Sequence, residues 1–541
     1  MYIATFDITS ITHQIENADN FTNGYVFATA TIIQNAFIDV SDNVYSTTVQ
    51  PLFQSQRTFT NLKVQFGAQT LNSGSFILSS VQSIIINQMN IISRPGSQLT
   101  VNSNSQLNIL TDSPTRAVIN NLLMNLSFSS SSGNITLINN IIGILNISGY
   151  QIIGDYNSTS TVAMIGLNVK MATINVNQVR FQPSTFNVGN GSSYLFGSSI
   201  KLQSIFMINN FAVKIGSSYN FLLLGSISTN DQSNYYYQFG GIIALVLISS
   251  SISVNNVILD SYQKFSSEYV SYSGFLIGYL GYIESSIQSN ITIQNVCLQQ
   301  NMTSSTSQFM NFGLIGHNHG KIQIQNALVA FSVQGDQFQI IGIIGINFDA
   351  YAEVLNLKTS VSFSFRHGIS VGSVFGHQGS NCTVQNTQII DGYIKSAENV
   401  GGIFGCSADN VTVLNSSIIN MDVSKTNITG SYNGGIIGCQ YSNTTILDSQ
   451  ITNINIQGFN SLGGVIGTCL FNLYLQNIQI KYVRIYRGFN TYNFGIVVGE
   501  NFNIDGIYSF TNSIARQNFI DDVQQTECTI LKTNSWSVTG C

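Results

Sequence analysis

"NVGGIFGCSADNVTVLNSSIINMDV" (Asn399–Val423) and "NGGIIGCQYSNTTILDSQITNINI" (Asn433–Ile456) are two versions of one phrase. Each opens with a glycine-framed apolar triplet and a cysteine. Two short runs follow in which β-branched residues alternate with polar ones. Val411 and Val413 alternate with Thr412 and Leu414, which is the period of a strand and not of a helix.

The phrase recurs outward in both directions. Aligned on the glycine that closes the triplet, it passes through Gly278, Gly316, Gly345, Gly376, Gly405, Gly438, Gly467 and Gly499. Weaker copies close at Gly166, Gly197 and Gly225. A second column keeps step with the first at Asn295, Asn326, Asn356, Asn386, Asn415, Asp448 and Asn477. Asn35, Asn87, Asn139 and Asn177 read as its upstream members. Two columns sharing a period of about 30 residues define a solenoid. Helical repeats need long 3.6-period segments, whereas these segments are short and β-branched. Only 4 prolines occur in 541 residues, so strands are rarely interrupted.

The expected fold is all-β, a single-stranded right-handed parallel β-helix with three strands per coil. The closing glycine lets the backbone turn tightly. The ladder Asn takes a left-handed turn conformation and stacks amide on amide. Residues 31–505 form the β-helix, clearest over 270–500. Residues 1–30 and 506–541 lack the glycine column and read as an N-terminal cap and a C-terminal cap or tail. Cys528 and Cys541 in that tail are spaced to close a loop, and Trp536 is the sole tryptophan.

"GGIFGCSADNVTVLNSSI" and "GGIIGCQYSNTTILDSQI" resemble the GLUG-type repeats of large right-handed β-helix surface proteins and adhesins. The Asn- and Ile-rich wording is similar to that of protist repeat proteins. The resemblance implies an extracellular or cell-surface repeat protein on a pectin lyase-like fold. It brings no catalytic residue, because the repeat motif contains none.

Composition narrows the function classes. Charged residues are 8% of the chain and net charge is −5, which gives no basic field for nucleic acid. The longest apolar run, Ile242–Ile248, is 7 residues, far short of the roughly 20 a spanning helix needs. The opening "MYIATFDITSITHQ" shows neither the basic nor the apolar region of a signal peptide, so an intracellular scaffold is a further reading. Seven cysteines are too few for a disulfide framework. Thirteen Asn-x-Ser/Thr sequons, among them Asn134, Asn290, Asn410 and Asn427, are about what this composition yields by chance.

The residue after each closing glycine reads Tyr279, His317, Ile346, His377, Cys406, Cys439, Thr468 and Glu500. Stacking brings His377, Cys406 and Cys439 onto consecutive coils. Three readings follow: a soft metal site, a Cys406–Cys439 disulfide, or two thiols filling a small-residue turn. His317 and His319 share a strand face with no third ligand in view, and read as a solvated turn.

Many β-helix proteins are polysaccharide lyases or hydrolases, so a carbohydrate-active enzyme is the main alternative. Such chemistry needs carboxylates on neighbouring coils, roughly 5–9.5 Å apart for a glycosidase. Five residues past the ladder the column reads Asp260, Gln300, Phe331, Val361, Asp391, Asn420 and Asn453, whose acids are coils apart. Asp349 and Glu353 share a turn, and Asp521 and Asp522 are adjacent, without an acid in register. No catalytic residue and no cofactor is expected.

"KYVRIYR" (Lys481–Arg487) holds 3 of the 19 basic residues. On a strand Tyr482, Arg484 and Tyr486 share one face, opposite Val483 and Ile485, and such a face can stack on sugars. The plainer reading is a polar last coil that discourages end-to-end pairing. The expected role is structural and adhesive, with glycans or other surface proteins as partners and neither nucleic acid nor a membrane span.

Overall fold

In a computed structural model the chain is a parallel β-solenoid, with no helix among the described residues. The structure describes residues 32–42, 58–71, 82–101, 106–130, 133–158, 162–183, 205–214, 238–246, 251–265, 270–280, 289–304, 309–348, 350–396, 398–425, 432–488, 493–501 and 508–525. It also describes shorter pieces at 7–9, 12–15, 52–53, 74–75, 77–78, 185–187, 195–199, 220–221, 529–533 and 537–539. Gly225, Asp349, Asn427, Cys528, Trp536 and Cys541 lie outside the described residues. Two compact units divide the chain: Met1–Ser267 with Ile283–Ile287, and Glu268–Tyr282 with Gln288–Cys541.

One coil of the second unit has four arms where the sequence suggests three. Asn399–Gly401, Phe404–Ser407, Val411–Leu414 and Ser417–Lys425 are separate strands. The split falls in the triplet phrase, where the chain bends at Gly402 and Ile403. Each arm pairs in parallel with its counterpart one coil on: Phe404 with Ile437, Val411 with Thr444, Ile418 with Ile451. The inner columns are apolar. Val384, Val413, Ile446 and Leu475 form one, and Ile389, Ile418, Ile451 and Ile480 another, all buried. The Phe375 and Phe404 rings stack at 5.1 Å between centroids. Such burial supplies roughly 25 cal/mol per Å², and it repeats at every coil.

The closing glycines act by a mechanism other than the expected turn. None of Gly405, Gly438, Gly467 and Gly499 has positive φ. A Cβ on Gly438 would instead lie 2.5 Å from the Gly405 carbonyl oxygen and 2.7 Å from the Val400 nitrogen. On Gly467 it would lie 2.5 Å from the Gly438 oxygen and 2.7 Å from the Asn433 nitrogen. Two arms pass with backbones touching, and only glycine leaves room.

The ladder Asn does take the left-handed conformation. Asn295, Asn326, Asn356, Asn386, Asn415, Asp448 and Asn477 have φ between 45° and 54°. The amides from Asn326 onward donate one coil back, among them Asn386 to Asn356 at 3.0 Å, Asn415 to Asn386 at 2.7 Å and Asn477 to Asp448 at 2.7 Å.

In the first unit the same corner runs through Asn35, Asn61, Gln88, Asn121, Gly149, Gln178, Asn210 and Asn256, with positive φ at each but Gln88. Asn87 and Asn177 therefore sit one residue before the corner, pairing with Asn120 and Ser148. Asn139 belongs to another turn, where it donates to Asp112 at 2.8 Å. Gly166 pairs with Phe196 and not with Gly197, so the upstream glycine copies are also out of step. The cause is that Asn is abundant enough on both sides of the corner for a one-residue slip to go unseen.

Asp7–Thr9 and Thr12–Ile15 already pair in parallel with Ile32–Val40. At the other end Tyr508–Thr511 and Ile514–Arg516 continue the parallel ladder past 506. Antiparallel strands begin at Val523–Gln525, which folds back on Asn518–Ile520, and continue with Thr529–Thr533 against Asn493–Phe494. Reversal of strand direction ends the stacking of coil on coil.

Candidate binding flank

The column after the closing glycines stacks as the spacing predicts. Tyr279, His317, Ile346, His377, Cys406, Cys439, Thr468 and Glu500 are successive register partners. The Cys406 and Cys439 sulfurs are bonded, with Cα atoms 4.6 Å apart. Both thiolates of the soft-metal reading are thereby consumed. Among the described residues no three His, Cys, Asp or Glu side chains converge as metal ligands.

His317 is buried at 6% exposure, so the solvated-turn reading of this pair is corrected. Its Nε2 lies 2.8 Å from the His319 Nε2, and both rings pack on Phe348 at 5.6 Å between centroids. Desolvation, helped by His319, pushes the His317 pKa down to about 3. Burial also lowers that of His377. His317 is therefore neutral core at ordinary pH.

One residue further along runs a buried polar column that the sequence reading missed. Asn318, Asn347, Gln378, Ser407, Gln440 and Cys469 are register partners and all buried. They hold the next turn by its carbonyls. Asn347 donates to the Ala350 carbonyl at 2.8 Å, Ser407 to that of Asp409 at 2.9 Å, and the Cys469 thiol to that of Phe471 at 3.2 Å. The signal available was a polar residue always two places past the closing glycine.

At Asp391 the acid column is structural, and the side chain of Asp260 lies outside what the structure describes. Asp391 has φ 54° and is an extra residue: Thr359 and Ser362 face Ile389 and Tyr393, with two residues between the first two and three between the second two. It opens a second left-handed corner that continues through Asn420, Asn453, Tyr482 and Gln517. Asn420 donates to the Asp391 carboxylate at 3.0 Å, and Asn453 to Asn420 at 2.8 Å. Gln300, Phe331 and Val361 upstream are buried strand residues. Glu353 accepts from Gln323 at 2.7 Å.

Tyr482, Arg484 and Tyr486 do face outward, opposite buried Val483 and Ile485. Tyr482 occupies the left-handed corner, and the rest of the face is engaged by the last coil. Arg484 lies over the Phe519 ring at 5.5 Å, and Tyr486 donates to Asp522 at 3.0 Å. Arg487 pairs with Asp521 and lies over Phe494 at 4.6 Å. The expected binding patch is a seam closing the end of the ladder.

A different flank is open. The turns before the third arm stack Tyr351, Asn381, Asn410, Asn443 and Asn472, whose carbonyls each accept the backbone N–H of the residue beginning the preceding coil's third arm. Asn381, Asn410 and Asn443 are exposed. The Asn410 amide donates to Asn381 at 3.0 Å, and the Ser442 hydroxyl to Asn410 at 3.0 Å. Beside them Thr383, Thr412, Thr445 and Tyr474 share an outward column. Large aromatic side chains protrude here: Tyr351, Tyr441, Phe471 and Tyr474. Chemically the flank offers amides, hydroxyls and half-exposed rings, repeated at the strand spacing of about 4.8 Å. No protein-family model matches the chain, and no curated protein matches it.

Proposed function

We propose that the protein is a structural and adhesive repeat protein of the cell exterior that holds glycans or other surface proteins along its extended flank. The observation that carries this reading is the open Asn381–Asn410–Asn443 column with its neighbouring hydroxyls and rings. Each such group contributes only about 0.5–1.5 kcal/mol net per hydrogen bond. Useful affinity therefore comes from many coils, or many copies, acting together. The Cys406–Cys439 bond suits an oxidising exterior, and the likeness of Gly401–Ile418 to GLUG-type repeats points the same way. Asp391, Asp422 and Asp448 spend their carboxylates on neighbouring amides, which favours scaffolding over acid–base work. No helix among the described residues is long and apolar enough to cross a membrane.

The test is a screen of the purified chain against plant, bacterial and host glycans and surface proteins, scoring retention and cleavage. Retention without cleavage, weakening by degrees as coils are deleted, is expected. Cleavage of a polysaccharide, abolished by changing one Asp or Glu, overturns the reading in favour of an enzyme.

A further inference from the structure

Resting on that reading of the flank, we propose that Tyr441, Phe471 and Tyr474 form a platform for an uncharged polysaccharide, whose pyranose rings stack on these aromatic faces.

The register puts the three residues on adjacent coils, in one turn and the arm that follows it. Tyr441 N–H bonds to the Ser407 carbonyl and Leu470 N–H to that of Gln440, so Tyr441 and Leu470 are equivalent positions on adjacent coils. Phe471 is thus one residue and one coil from Tyr441. Tyr474 pairs with Thr445 on the arm that follows. The side chains are 44%, 46% and 38% exposed, a large apolar area to leave in water beside turns otherwise made of Asn and Ser.

The surroundings select the ligand. The four turns 378–381, 407–410, 440–443 and 469–472 contain one charged residue, Asp409, and no cation. An anionic glycan or nucleic acid would find no counter-charge here. A protein partner of ordinary stability needs about 800 Å² per side, far more than three side chains offer. An uncharged sugar fits both components. Its C–H faces cover the rings, and its hydroxyls meet the Asn410–Ser442 pair and the Thr412 and Thr445 hydroxyls. A pyranose is about as long as one coil spacing of ~4.8 Å, so successive sugars meet successive coils.

Affinity electrophoresis tests this, with hydroxyethyl cellulose, β-1,3-glucan, mannan and dextran as neutral gels and polygalacturonate as the charged one. The chain is made in bacteria, so that the sequons at Asn381, Asn410 and Asn443 remain bare. At least one neutral gel should retard it, with no loss on raising salt. Changing Tyr441, Phe471 and Tyr474 together to Ala should weaken retardation about tenfold or more. Phe471→Tyr should retain it, and so should Tyr393→Ala, an exposed aromatic on another arm. Circular dichroism checks that each variant keeps its strands.

Equal retardation of the triple variant overturns the platform while leaving a binding flank standing. Salt-sensitive retardation by polygalacturonate alone overturns the choice of ligand. Absence of retardation in every neutral gel overturns the proposal, and the surface-protein arm of the wider screen then judges the flank separately.

Discussion

Coils 375–487 of the second unit and coils 58–183 of the first unit solve one problem by different means. Both turn the same corner, with a left-handed residue on every coil but that of Ser83–Ser93, where Gln88 stands at the corner. In the second unit that residue is always Asn or Asp, and each amide bonds the one below. In the first it is Asn61, Asn121, Gly149 and Gln178. The left-handed turn is thus common to both units, and the amide ladder is one way of holding it. The units differ further in how they fill space. The second has touching backbones at its glycine column. The first has a separate five-strand sheet, Gln69–Leu71, Leu99–Val101, Phe128–Ser130, Asp155–Ser158 and Thr185–Asn187, where Phe128 and Tyr156 stack at 5.5 Å and Phe186 adds its ring edge-on. Backbone contact tolerates no side chain, whereas aromatic filling tolerates some repacking.

Glycine substitution should separate these two regimes most sharply. Gly438→Ala forces a methyl group against backbone on two sides, and should cost about 3 kcal/mol or more. Gly166→Ala meets chiefly the far end of the Ile141 side chain and should cost about 1 kcal/mol. Urea unfolding followed by hydrogen exchange in each unit measures both. Equal losses would break the comparison.

The disulfide acts on a similar scale. Cys406 and Cys439 are 33 residues apart, and opening a loop of that length costs up to about 3.7 kcal/mol by chain entropy. Cys406→Ala with Cys439→Ala should lower the unfolding midpoint of the second unit and leave the first unchanged. A midpoint insensitive to both the substitutions and reducing agent would contradict the bond.

Acid should also act on the second unit through its histidines. The folded pKa of His317 lies near 3, below the ordinary value of about 6.5. The unfolded chain therefore binds a proton that the folded chain refuses between those values. Stability is full above about pH 6.5 and falls as pH drops toward 3, by up to a few kcal/mol, with His377 adding in the same direction. His317→Leu should flatten the pH profile of chemical denaturation. An unchanged slope would mean that His317 is protonated in place.

The smallest effect concerns the shared corner. Asn415→Ala should cost about 1–2 kcal/mol, from the left-handed φ and the lost amide bonds. Asn415→Gly relieves the φ term and should cost less, since Gly149 holds that place in the first unit. If glycine costs as much as alanine or more, relief of the left-handed φ is not a sizeable part of what Asn415 supplies.

Two sequence columns carried most of the fold. Parallel in-register stacking converts a fixed sequence interval into a fixed spatial neighbour, so Cys406 beside Cys439 and Asn386 beside Asn415 were legible before any coordinates. The first unit was harder to phase, because Asn stands on both sides of its corner and neighbouring residues compete for one column. The polar column from Asn318 to Cys469 was hidden for a different reason. Its members differ in chemistry and share only burial and a carbonyl to hold.

The sequence by itself determined that the chain is a solenoid of about 30 residues per coil, which side of each short strand faces inward, and where the left-handed corner lies in the second unit. These follow from local steric preference and from periodicity, which one strand of text records completely. Only the tertiary structure decided what the glycines are for, since their constraint is a neighbouring backbone and not their own φ. It decided that Asp391 is a corner residue, because an extra residue is visible only against the coil before it. It decided too that the Arg484–Tyr486 face is engaged by Phe519 and Asp522 while the rings of Tyr441, Phe471 and Tyr474 stand open. Exposure is set by what the rest of the chain covers, and no single repeat contains that information.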